Sequence, residues 1–420
     1  MSHLSDNLPN NRTSPGVSSR NKYQEFPDLV CLSHLRWDFV YQRPQHLLSR
    51  FAQNRRVYFI EEPVFLNDKT KPHLAISERE KNLLIVTPQL PSGQSKTKEN
   101  SSLSKLVDEL FTKEQLGQHW LWYYTPMALP FTRQLKPLGI IYDCMDELSA
   151  FKGAPNDIQA LEKELFSVAD VVFTGGQSLY EAKRHLHSNI HPLPSSVDVA
   201  HFSKARIPQA DPADQSAIPH PRLGFFGVID ERMNLELLAR MADAQTDWHF
   251  VMIGPVVKIS PEDLPQRPNI HYLGAKPYKE LPTYLAGWDV ALLPFALNES
   301  TRFISPTKTP EYLAAGKPVI STSILDVVRP YKELGLVQIA NTAEQFIDAA
   351  KVALTENAAA RIRRSDAFLA NMSWDRTWTR MNHLIEEVLR TKESNEQNKR
   401  HHAQPAPSTR YVSLTSAAGD

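Results

Sequence analysis

The sequence predicts two doubly wound α/β domains joined by a proline-rich stretch. Three observations carry this. Short apolar runs of strand length alternate with segments of helical period, the pattern of parallel sheets covered by helices. The alternation occurs twice along the chain. Between the two series lies SKARIPQADPADQSAIPHP, which holds Pro208, Pro212, Pro219 and Pro221 and almost no large apolar residue, the composition of an interdomain linker. A chain of 420 residues is long enough for two domains of ordinary size.

In the first series the expected strands are 28–34 (DLVCLSH), 56–62 (RVYFIEE), 82–88 (NLLIVTP), 120–124 (WLWYY), 139–145 (GIIYDCM), 169–175 (ADVVFTG) and 189–194 (NIHPLP). Each is a nearly continuous apolar run, as a strand buried on both faces requires. Helices fit between most of them. In NDIQALEKELFSVA, Ile158, Leu161, Leu165 and Val168 form one apolar stripe. QSLYEAKRHL starts a second helix after the Gly175-Gly176 turn. The alternation restarts with strands at 222–228, 248–254, 269–274, 288–295, 317–322 and 336–340. The helical segments MNLELLARMADA, YKELPTYLAG, TPEYLAAG and TAEQFIDAAKVAL lie between them. A final segment, SWDRTWTRMNHLIEEVLR, places Trp374, Trp378, Met381, Ile385 and Leu389 along one face and predicts a helix packing back onto the body. The resulting division is a tail over 1–26, a first domain over 27–202, a linker over 203–221, a second domain over 222–373, a packing helix over 374–391 and a tail over 392–420. Both tails are poor in large apolar residues and are expected to stay disordered.

Composition excludes several functions. Lys plus Arg and Asp plus Glu both number 47, so no global basic field exists to hold nucleic acid. Two cysteines, Cys31 and Cys144, are too few for a disulfide framework or a zinc site. The sequence shows no apolar stretch of bilayer-spanning length and no secretory signal, so a cytoplasmic location is expected.

In doubly wound sheets, ligands bind outside the carboxyl ends of the strands, so two facing domains predict a cleft that holds the chemistry. The most informative stretch is FALNESTRFISPTKTPEYLAAGKPVIST, residues 295–322. A strand ends in a polar loop, and Ser305-Pro306 or Thr309-Pro310 then offers a cap followed by proline at the first helical position. A short turn and then a helix from Thr309 is expected. Lys308 beside such a terminus suits a phosphate group, and Glu311 suits the diol of a ribose. The plainer alternative leaves Glu311 complementing the helix dipole and Lys308 in solvent.

With its continuation, this stretch resembles the nucleotide-sugar-dependent glycosyltransferases of the GT-B fold, which consists of two Rossmann-like domains facing across a cleft. Their P-E-x-x-A-x-G-x-P-V pattern is matched by Pro310, Glu311, Ala314, Gly316, Pro318 and Val319. Further matches extend over roughly residues 28–390: Pro194 with Val197, Asp198 and Phe202; Gly224 to Gly227; His271 to Gly274; Tyr284 to Ala286; and Trp288 to Val290 with Pro294. The S-P-x-K-x-x-E arrangement resembles bacterial group 1-type enzymes of exopolysaccharide and teichuronic-type synthesis. Two positions depart from the family pattern. Phe303 stands where many retaining members carry a second glutamate, and Val-Ile-Asp-Glu-Arg follows Gly227 where Arg and Lys usually occur, so Arg232 or Lys308 is left to supply the cation.

The resemblance implies transfer of a sugar from a nucleoside-diphosphate donor to a saccharide or lipid-linked acceptor, at or near the inner face of the cell membrane. The donor side would comprise Gly227, Arg232, Lys308, Glu311, Ser305 and Gly274. In the first domain, Asp146 at the end of the 139–145 strand is the expected base, because a carboxylate within reach of an acceptor hydroxyl can take its proton. Asp143 is the second choice and His34 the third. Arg36, Trp37, Asp38 and Arg43 follow the first strand and are expected on the acceptor side, where Arg binds anionic groups and Trp stacks on sugars. His46 is read as structural. No Asp-x-Asp occurs, so neither metal nor cofactor is expected, and the diphosphate charge falls to Lys308 with Arg232 or Arg302. A nucleotide-sugar 2-epimerase and a non-catalytic sugar-nucleotide-binding protein remain as rival readings.

Overall fold

The computed structural model describes residues 26–402. The first sheet contains β1 (Asp28–Leu32), β2 (Val57–Ile60), β3 (Val64–Leu66), β4 (His73–Glu80), β5 (Leu83–Pro91), β6 (His119–Tyr123), β7 (Gly139–Cys144), β8 (Val171–Thr174) and β9 (Ile190–Pro192). They lie in the order β3-β5-β2-β1-β6-β7-β8-β9, with β4 antiparallel to β5 and the other pairings parallel. The second sheet holds β10 (Arg222–Phe226), β11 (His249–Ile253), β12 (Ile270–Gly274), β13 (Val290–Leu293), β14 (Val319–Ser321) and β15 (Gln338–Ile339). Its order is β12-β11-β10-β13-β14-β15, all parallel. Each sheet therefore reverses direction beside its first strand, at β1/β6 and at β10/β13, and these reversals open the crevices where a ligand fits.

All thirteen expected strands are present, because burial on both faces leaves an unbroken apolar run in the sequence. On β6, Trp120 and Trp122 point into one core and Leu121 and Tyr123 into the other. Only β3 and β4 were not anticipated. Strand β4, HLAISERE, lies at the sheet margin with most of its side chains exposed, so no apolar run marks it.

The C-terminal helix runs Trp374–His402, longer than the expected 374–391. Trp374, Met381 and Ile385 are buried in the core of the first sheet, on the face covered by the helix Arg43–Phe51. At Lys392 the ammonium still pairs with Asp170 and with the Leu138 carbonyl. Disorder from 392 onward was therefore the wrong expectation for residues 392–402, which continue the helix beyond its apolar stripe, with Lys392 still tied to the first domain. Residues 1–25 and the remainder of the C-terminal segment lie outside the described residues.

The proline-rich stretch 203–221 is packed against the second domain. Gln215 is fully buried and bonds the Tyr284 carbonyl and the Trp288 indole, Ile218 enters the second core, and Asp211 pairs with Arg222 at 2.7 Å. Polar side chains attach this segment, which is why its composition resembles that of a free linker.

Candidate active site between the two domains

Two adjoining cavities lie where the carboxyl ends of the sheets face each other. The larger, about 290 Å³, is bounded by Trp37 to Tyr41 of the first domain and by Gly227, Gly254, Tyr278, Lys308 and Glu311 of the second. The smaller, about 110 Å³, takes Asp146, Arg43 and Gly175 from the first domain and Arg232, Ser305 and Lys308 from the second. Val40, Thr307 and Lys308 belong to both walls, so the two form one cleft.

Glycines allow the backbone to close in from the second domain. Gly227 has φ +145°, and a Cβ there would sit 2.8 Å from Lys308 Cε. A Cβ on Gly254, φ +147°, would overlap the Gly227 carbonyl oxygen. Both ends of β10 and β11 thus require a residue without a side chain. Gly274 also takes positive φ, and its carbonyl accepts from Gly254 N at 2.9 Å. It stands just before Ala275, Lys276 and Pro277, which line the larger cavity.

The helix after β13 begins one residue earlier than expected. It runs Lys308–Ala314 with Thr307 as its cap residue, and Pro310 occupies its third position. Thr309 therefore caps nothing and is itself buried. This register turns Lys308 and Glu311 toward the larger cavity together. Burial pushes Lys308 down, opposed by the Glu311 carboxylate, and pushes Glu311 up, opposed by the Lys308 ammonium. Both shifts disfavour charge in the empty cleft.

Asp146 lies two residues beyond β7, and its carboxylate makes no hydrogen bond with any described residue. Burial pushes it above the ordinary carboxylate range, opposed by Arg232, Lys308 and Arg43. Arg232 itself is held against Asp230 by contacts of 2.7–3.1 Å. Its guanidinium also lies 5.4 Å from the ring of Phe151, which sits in the loop after Asp146, and Lys258 lies 4.8 Å from the same ring.

The other first-domain candidates are engaged by the protein. Arg43 grips Asp143 through Nε and Nη2, each at 2.9 Å, and gives its third contact to the Leu193 carbonyl at 2.7 Å. Both side chains are essentially inaccessible. Arg36 spends its guanidinium on Glu61 and on the carbonyls of Glu62 and Pro63. Asp38 forms a forked pair with Arg79. Trp37 is buried, packs at 5.1 Å and 71° against Phe59, and lines the larger cavity. His34 lies outside both cavity walls. Its Nδ1 donates to the Tyr124 carbonyl at 3.1 Å, and burial lowers its pKa to about 4, so the imidazole is neutral near pH 7. His46 is buried and stacks on Trp374 at 4.4 Å.

Several cleft residues were not anticipated. Gly254-Pro255 follows a strand just as Gly227 does, and that repeated strand–glycine signal was available. Tyr278 and Tyr41 gave no sequence signal, because only the packing of the two domains brings them together. Among the described residues no group of three or more His, Cys, Asp and Glu is arranged to hold a metal ion. No described helix is long and apolar enough to cross a membrane.

Two parallel doubly wound domains closing a cleft at their strand ends define a GT-B protein, and comparison with solved structures agrees. Sucrose-phosphate synthase of Thermosynechococcus elongatus aligns with a TM-score of 0.65 at 14% identity, covering 87% of this chain and 100% of that one. Anabaena HepE, solved with UDP and glucose, aligns at 0.62 and 10% identity over 85% of this chain and 99% of its own. Residues 220–356 match the family model for glycosyl transferases group 1. A Bacillus subtilis (strain 168) protein, provisionally assigned as the teichuronic acid biosynthesis glycosyltransferase TuaH, is 26% identical over 242 residues. That alignment takes in 53% of this chain and 60% of the relative's length.

Proposed function

We propose that the protein transfers a sugar from a nucleoside-diphosphate donor to an acceptor hydroxyl in the assembly of cell-envelope polysaccharide. One observation carries the reading: an unbonded carboxylate from the first domain, Asp146, shares a cavity wall with the cations Lys308 and Arg232 of the second. In this reading Glu311 takes the ribose in the larger cavity and the diphosphate lies along Lys308. Asp146 accepts the acceptor proton as the acceptor oxygen bonds to the anomeric carbon. The bond from that carbon to the diphosphate breaks with its electron pair on the leaving oxygen, and Lys308 and Arg232 stabilise the charge there. The elevated pKa of Asp146 strengthens it as a base near neutral pH.

The likeness to TuaH supports the envelope-polysaccharide assignment, and HepE, solved with UDP and glucose, supports a nucleotide-sugar donor. A saccharide or lipid-linked acceptor and association with the inner face of the membrane belong to the same proposal, as does turnover without metal. The test is release of nucleoside diphosphate from UDP-, GDP- and dTDP-sugars in the presence of envelope acceptors, before and after exhaustive chelation. Product that requires acceptor and survives chelation is expected. Conversion of the donor sugar without acceptor would instead indicate an epimerase, and full loss on chelation would remove the diphosphate role of Lys308.

A further inference from the structure

The cavity that Glu311 lines contains a second polar group lacking a partner. The hydroxyl of Tyr278 is buried and makes no hydrogen bond with any described residue, whereas a buried phenol ordinarily has one. Its ring is clamped. His201 stacks on it at 4.3 Å and 10°, and Tyr41 of the first domain stacks at 4.6 Å and 28°. Two rings at such distances occupy opposite faces. The edges of His46 and Phe202 pack around it, and His201 Nε2 lies 3.0 Å from the Tyr278 carbonyl. Glu311 is the charge that acts most strongly on the phenol, and both side chains line the same enclosed space.

A carboxylate acceptor and a phenol donor thus line one cavity, and the phenol has no partner among the described residues. A vicinal diol satisfies both, because each of its oxygens donates one hydrogen and accepts another. We propose that Tyr278 recognises the donor's ribose, giving its hydroxyl hydrogen to one diol oxygen while Glu311 accepts from the diol hydroxyls. This inference rests on the nucleotide-donor reading above and assigns a specificity-determining residue within it. A nucleotide lacking the hydroxyl leaves the phenol unpaired again, and sites built on such polar groups discriminate against the deficient ligand.

The experiment is calorimetric titration of the full chain and of Tyr278→Phe with UDP, ADP, GDP and CDP, followed by the 2′-deoxy and 3′-deoxy forms of the tightest binder. The substitution keeps the stacked ring, and an unchanged melting temperature checks the fold. Wild type is expected to bind the ribonucleotide more tightly than at least one deoxy form. Tyr278→Phe is expected to weaken the ribonucleotide about 3- to 12-fold, the net value of one neutral hydrogen bond, and to weaken that deoxy form less than about 2-fold. Equal losses for ribo and deoxy ligands, or no ribo preference in wild type, would overturn the role of Tyr278 while leaving the donor reading intact. Absence of binding by any nucleotide to wild type would overturn both.

Discussion

The cleft sets paired charges beside unpaired ones. Within the first domain Arg43 is locked to Asp143, Arg36 to Glu61 and Asp38 to Arg79, and in the second Arg232 is locked to Asp230. Where the domains meet, Asp146 and the hydroxyl of Tyr278 have no hydrogen-bonding partner among the described residues, and Lys308 makes only a 3.4 Å contact to its neighbour Thr307. Paired charges at strand ends hold loops in place, whereas underbonded polar groups gathered around a cavity are available to a ligand. Residue type and position beyond a strand therefore do not separate a catalytic carboxylate from a structural one. Asp143 and Asp146 lie three residues apart and differ in whether an arginine already occupies them.

The largest expected effect breaks the locked side. Asp143→Ala leaves Arg43 buried without its counter-charge, so unfolding free energy is expected to fall by about 3–5 kcal/mol, the usual cost of removing one partner of a buried pair. Denaturant titration measures it, and a loss below about 1 kcal/mol would mean that the pair is not structural.

Asp146→Asn tests the open side. It is expected to leave melting temperature and nucleotide affinity unchanged while lowering turnover at least about 100-fold, the lower range for a general base. In the wild type, turnover is expected to fall as pH drops through the elevated Asp146 pKa, because the base must be ionised. That limb should lie above the ordinary carboxylate range. Near-normal turnover in the variant would refute the assignment.

Lys308→Ala is expected to weaken nucleoside diphosphates by about 1.5–3 kcal/mol, the range for a hydrogen bond to a charged group, and free nucleosides far less. The depressed pKa of Lys308 in the empty cleft adds a sign: binding a diphosphate favours the protonated ammonium, so complex formation should take up protons and affinity should decline with rising pH. Titrations in buffers of different ionisation enthalpy would detect this. Proton release would contradict it.

The smallest effect belongs to Asp38→Ala. Its partner Arg79 is well solvated, and surface pairs of this kind contribute about 0–1 kcal/mol. Neither melting temperature nor nucleotide affinity should move measurably. A large loss of acceptor affinity alone would restore Asp38 to the acceptor side.

How much could be read in advance depended on burial. Strands covered on both faces, such as VYFI in β2 and VVFT in β8, stood out as apolar runs, and Glu311 and Lys308 stood out through the motif around them. The exposed margin strand β4 had no such run. The helix starts at Lys308, capped by Thr307 and with Pro310 in its third position, a start that neither Ser/Thr-Pro pair marks in the sequence.

The sequence by itself determined the two largely parallel sheets, their order along the chain, a C-terminal packing helix, and the short list from which cleft groups are drawn. These follow from hydrophobic periodicity and local backbone preference, which act over a few residues. Tertiary structure alone decided which listed groups are free. The Arg43–Asp143 pair spans 100 positions, and the Tyr41–Tyr278–His201 stack joins both domains. Whether a charge is satisfied depends on what folding brings within about 3 Å of it, and neighbours in sequence carry no record of that.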